Sequence, residues 1–102
     1  MEGRASISAD VLARYAGDAA VEVDGVRGLV ESHVPRQRPV RISGEEGEQV
    51  SVELHLAFEW GAAFPEVGRD VQDRVADYLA RMAGARPGRV DVVVAEIGPI
   101  RG

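Results

Sequence analysis

The chain has 102 residues, 45 % of them hydrophobic, and a formal net charge of −5. That length fits one domain, 1–102, able to bury roughly 60–70 % of its unfolded surface, with 1–6 and 99–102 read as flexible tails. The absence of cysteine excludes disulfides, thiolate zinc sites and thiol nucleophiles, and the acidic balance argues against nonspecific binding to nucleic acid or anionic lipid.

The opening residues hold no apolar core of a secretory signal. No window approaches the ~20 apolar residues that span a bilayer. The expectation is a cytoplasmic soluble domain, with any membrane contact made through a partner. All 12 basic residues are arginine, and Lys, Asn and Thr are absent; this reads as GC-rich coding bias and carries no mechanism.

Ser8 announces the first helix, its hydroxyl placed to cap the free N–H groups of a helix opening at Ala9-Asp10. Val11, Tyr15 and Ala19, with Leu12, Ala16 and Ala20, recur at i+4 as one apolar stripe with small residues along it. Gly25 ends this unit, and Val26 to Val34 reads as a short strand. Two prolines make 35–39 a loop.

Val40 and Ile42 then alternate with Arg41 and Ser43, and 44–48 (GEEGE) supplies a polar turn. Val50, Val52, Leu54, Leu56, Phe58 and Trp60 alternate with mostly polar neighbours. That is the period-two pattern of a hairpin strand with one buried and one wet face.

Trp60-Gly61 ends the strand, and Pro65 opens a helix that folds back over the sheet. Val67, Val71, Val75, Tyr78, Leu79 and Met82 share its inner face. Asp70–Arg74 and Asp77–Arg81 are spaced as i,i+4 ion pairs on the outer one. Gly84 is the stop. A last strand, 90–97 (VDVVVAEI), is apolar on nearly both faces, which suits an inner position. The order α-β-β-β-α-β predicts an α+β two-layer sandwich, two helices on one face of a three- to four-stranded mixed sheet.

Three stretches carry a resemblance. "ISADVLARYAGDAAVEVDGVRGL" is similar to the opening of the alkaline shock protein family, a helix followed by E-V-x-G-V. "EWGAAFPEVGRDVQDRVADYLARMAG" resembles its middle signature, an aromatic-Gly pair, a Pro-Glu-Val helix start and a Met-x-Gly end. "RVDVVVAEI" resembles its closing strand. Trp60 stands where the family pattern has Tyr, and Ala83 where it has Thr. The resemblance implies a small bacterial cytoplasmic protein of cell-envelope homeostasis and stress response. It implies self-assembly and, for some members, a membrane-anchored homologous partner, with no catalytic motif or cofactor to carry over.

The residues themselves offer few chemical sites. His55 and Glu53 share a strand face, but a metal needs three or four ligands, and His33 lies on another element. None of Ser6, Ser8, Ser32, Ser43 and Ser51 sits in a nucleophile elbow. We therefore assign no catalytic, metal or cofactor residue and read the chain as a noncatalytic interaction protein.

The alternative is a small KH-like RNA-binding module. It would use the G-x-x-G of Gly25–Gly28 and the cluster Arg36, Arg38 and Arg41. On the last strand, Val90, Val92 and Val94 are expected under the helices, with Asp91, Val93, Ala95 and Ile97 outside. Val93, Ala95 and Ile97 form a candidate strip for joining copies of the protein or a homologous partner. The competing expectation is that the terminal residues fold back and cover the strip with Ile100.

Overall fold

The structure, a computed structural model, describes residues 6–31, 38–44 and 49–100. Six elements follow one another: α1 (Ala9–Val21), β1 (Val26–Leu29), β2 (Val40–Ser43), β3 (Ser51–Glu59), α2 (Phe64–Ala83) and β4 (Arg89–Gly98). The α+β order and the mixed sheet agree with the sequence reading. The expected flexibility of 1–5 and 101–102, like the candidate Arg36, falls outside the described residues.

β3 is the spine. Its alternation puts Val52, Leu54, Leu56 and Phe58 fully into the core, and both its edges are paired. β1 and β2 lie end to end along one edge, both antiparallel: Leu29 opposes Leu56, and Val40 opposes Leu54. His55 stitches the junction, its O accepting from Val30 N (2.9 Å) and its N donating to Pro39 O (2.8 Å). β4 runs parallel to β3 along the other edge.

Three strand expectations need correction. The first strand stops at Leu29 instead of running to Val34; a bulge at Arg27 shortens its ladder, and 32–34 lie outside the described residues. β4 is an edge strand, not an inner one, because among the described residues it pairs with β3 alone. Trp60 continues the apolar alternation but is 66 % exposed, since β3 ends at Glu59 and the chain turns at Gly61 with φ 83°.

Both helices lie on the face of β3 that carries the core. In α1 the Ser8 hydroxyl accepts from Val11 N at 3.2 Å, as the capping pattern requires. Leu12, Ala16, Ala19 and Ala20 are buried, while Val11 is exposed. Gly17 lets the helix settle on the sheet: a Cβ there would lie 3.3 Å from Leu29 Cδ1 and 3.4 Å from Val40 Cγ2.

In α2, Val67, Val71, Val75 and Leu79 are buried. Gly84, at φ 64°, closes it with an N–H bond to Ala80 O. Tyr15 and Tyr78 seal the two helices edge to face, centroids 5.8 Å apart. Met82 is half exposed. The two expected i,i+4 pairs are replaced: Arg74 reaches Glu22, the C-cap residue of α1, at 3.4 Å, and Arg81 stacks over Tyr78.

Two outcomes test this packing. Val71→Asp, which strands an unpaired charge in the core, should cost several kcal/mol of a stability near ~5–15, whereas Asp70→Ala on the outer face should cost under about 0.5 kcal/mol in denaturant titration. A Val71→Asp melting point within a degree or two of wild type refutes the docking.

Gly25 sits at φ 95°, and a Cβ there would come 2.8 Å from Val67 Cγ2. Gly25→Ala should therefore cost more than Gly61→Ala, which has the same backbone problem in open space and loses only about 1–2 kcal/mol for the left-handed conformation. Equal losses would show that the approach to Val67 is not limiting.

Candidate interaction surface

The face of the sheet opposite the helices is covered by neither helix. Along β3 it carries Ser51, Glu53, His55, Ala57 and Glu59. Glu53 takes His55 Nε2 at 3.0 Å and Arg41 at 3.5 Å. The two residues considered as metal ligands thus satisfy one another, and no cluster of three or more ligating side chains occurs among the described residues. On β4, Arg89 Nε donates to both oxygens of Asp91 at 2.9 and 2.8 Å. That hydrogen bond first, and the Asp91 charge second, hold the Arg89 proton more tightly than usual, though an arginine stays charged in any case.

β4 carries the exposed apolar surface. Its first half is partly covered: Val90 and Val92 pack on the core, and Gln72 of α2 donates to Val90 O at 3.1 Å. From Val93 to Ile97 every residue is exposed. Val93 opposes His55 and so lies on the open face. Then the register slips by one residue: Val94 opposes Leu56, but Glu96 opposes Ala57 and Ile97 opposes Phe58.

Ala95 is the extra residue of this bulge, which returns Ile97 to the helix side of the sheet. The expected single strip is therefore split, with Val93 outside, Ala95 at the bulge and Ile97 inside. Val94 (36 %) and Ile97 (48 %) stay exposed although they lie on the helix side. A bulge has no compositional mark in a run of valines and alanine, so alternation alone could not place Ile97.

Ile100 is 71 % exposed; it does not lie over Val93 as the competing expectation required. The end of β4 is instead fastened from the other edge. Arg27 crosses the open face beside Gly98, and its Nε donates to Pro99 O at 3.0 Å. Trp60 N donates to Gly98 O at 2.8 Å.

The G-x-x-G motif takes a different role from a backbone clamp. Gly25 is the packing turn against Val67, and Gly28 lies within β1 opposite Ala57. Arg38 is held by Asp10 at 2.9 Å, and Arg41 by Glu53. The two described members of the basic cluster therefore sit beside carboxylates.

A hollow of about 470 Å³ between the end of α1 and the flank of α2 escaped the sequence reading. It is lined by Glu22, Asp24, Asp70, Asp73, Asp77 and Arg74. Its signal was present, since acids at 70, 73 and 77 share one side of a helix, but the Glu22 side is contributed by another element.

Comparison with known proteins places this geometry. The model of the alkaline shock protein 23 family, described by a cell envelope-related function, matches residues 1–99. The Bacillus subtilis (strain 168) protein YloU is 26 % identical over 104 residues, covering 90 % of this chain and 86 % of that one.

Among solved structures, the copper form of MamM CTD superposes with a TM-score of 0.63 at 18 % identity, over 91 % of this chain and 89 % of that one. A doubly substituted MamM CTD gives 0.62 at 14 % identity, over 91 % and 96 %. At such identity the likeness is one of fold.

The nucleic-acid alternative is tested by filter retention of single-stranded RNA. At near-physiological salt, retention should stay at background, and Arg38→Ala with Arg41→Ala should leave it there. Retention that falls with a log–log salt slope near −0.7 per phosphate contact restores that alternative.

Proposed function

The chain belongs to the alkaline shock protein 23 family, of cell envelope-related function, and on that premise we propose that it is a noncatalytic scaffold of the envelope. It acts through self-association and through protein partners. One observation carries this reading: an edge strand that exposes Val93 (37 %) on one face and Ile97 (48 %) on the other. Single exposed aliphatics are ordinary, but several along one free strand edge, on both of its faces, give an edge that a partner can bury. Ala95 at the bulge lets a partner's backbone come close.

The reading places the protein in the cytoplasm, peripheral to the membrane through a membrane-anchored homologous protein. No helix among the described residues is long and apolar enough to cross a bilayer. A charge of −5 gives no attraction to anionic lipid. The RNA-binding alternative loses its support where Arg38 and Arg41 face Asp10 and Glu53.

Light scattering on wild type and Val93→Glu is the test, with vesicle sedimentation beside it. The wild type should be larger than a monomer. Val93→Glu should shift toward monomer while its melting temperature stays near wild type, because a half-exposed surface change costs about 0.5 kcal/mol or less. Purified protein should leave anionic vesicles unbound at physiological salt. A monomeric wild type, or tight binding of the pure protein to vesicles, overturns the reading.

A further inference from the structure

β4 presents a contradiction. Its sequence reads as a strand buried on both faces, yet it lies at the edge of the sheet. Native edges are usually blunted by shortness, by proline or by inward charges. β1 and β2, on the other edge, are four residues each. β4 is ten residues long and contains no proline. Its protection is partial: a bulge at Ala95, the charges of Arg89, Asp91 and Glu96, and Gln72 over the Val90 carbonyl leave the Val92–Val94 stretch bare.

We propose that the free edge of β4 pairs antiparallel with β4 of a second copy, about a two-fold axis near Val93, to make one continuous sheet. This rests on the self-association reading and specifies its geometry.

The side chains select this arrangement. Residues opposite one another across a strand pair share a face. With the axis at Val93, Val93 meets its own copy on the open face, and Val92 meets Val94 on the helix side. Allowing for the bulge, Asp91 meets Glu96 on the open face and Val90 meets Ile97 on the helix side. Every pair then matches in face, and the half-covered valines are buried by valines.

The one adverse pair is Asp91 against Glu96, two acids whose repulsion Arg89 offsets. Antiparallel pairing sets Arg89 of one copy diagonally across from Glu96 of the other, within reach of a long side chain. Arg89 also neutralises Asp91 through its two hydrogen bonds. Parallel pairing in register would instead set Arg89 on Arg89, Asp91 on Asp91 and Glu96 on Glu96. Gln72, bonded to Val90 O, occupies that carbonyl, so the Val90–Ile97 pair adds side-chain contact only and the backbone ladder runs between residues 91 and 96. So short a contact is smaller than the ~800 Å² per partner of a standard interface, so pairing should saturate only at high local concentration.

The chain has no cysteine, so single introduced thiols report the geometry directly. Val93→Cys, Asp91→Cys and Glu96→Cys are oxidised separately at high protein concentration, and the last two also as a mixture. A disulfide needs Cα atoms no more than about 7 Å apart. In the proposed pairing the two copies of residue 91 lie roughly 14 Å apart along the strand, and those of residue 96 about as far.

Val93→Cys should link on the order of ten-fold faster than either other variant alone, while the Asp91→Cys and Glu96→Cys mixture should link to each other. That mixed pair keeps the test intact if Val93→Cys folds poorly. Equal linking of all three variants with themselves overturns the antiparallel geometry. No linking despite oligomers in light scattering overturns the edge pairing but leaves self-association standing through another surface. A monomer in both experiments removes both.

Discussion

The whole molecule depends on β3 being occupied on three sides. Its inner side chains Val52, Leu54, Leu56 and Phe58 are buried under the helices, and both its edges carry partner strands. Each of those side chains contributes roughly 1.5–3 kcal/mol by leaving water, and none can do so unless both helices and both flanking ladders are present. Long-range order therefore concentrates on nine residues. The T-shaped contact of Phe58 with Phe64, at 5.5 Å, links the end of that strand to the first turn of α2. It is the packing counterpart of the sharp turn at Gly61 and the helix start at Pro65.

That concentration explains what could be read in advance. Period-two alternation over β3, the Ser8 cap, the Pro65 start and the Gly84 stop are local signals, each enforced by a backbone or burial rule acting within a few residues. The core valines of α2 follow from helical spacing in the same way. What escaped was relational. That β1 and β2 share one edge of β3 depends on Val30 and Pro39, both distant in sequence, meeting at His55. That β4 lies outermost depends on which edge the chain returns to, and an apolar run looks alike at the centre of a sheet and at an unfilled edge.

The candidate surface was legible in part for the same reason. Val93 stands where alternation put it. Ile97 does not, because one added residue at Ala95 reverses the faces of everything after it. The ion pairs drawn along α2 failed on a related ground. Spacing shows which partners are within reach, but Glu22, the C-cap residue of α1, and the Tyr78 ring compete for the same arginines. At exposed sites such choices differ by a few tenths of a kcal/mol.

The two edges of the sheet differ in a way that bears on assembly. The β1–β2 edge is broken into two four-residue strands, and such short strands make poor templates for addition. The β4 edge is long and apolar. A molecule with two adhesive edges would add strands without end, whereas one adhesive edge meeting itself closes after two copies. Edge pairing therefore accounts for a pair and no more. A larger scaffold needs a second, different surface. The open sheet face carries Glu53, His55 and Arg41, a polar surface that the edge contact leaves in water. Growth beyond two copies would then be set by a charged contact that salt weakens, while the pair itself, held by valines, would persist.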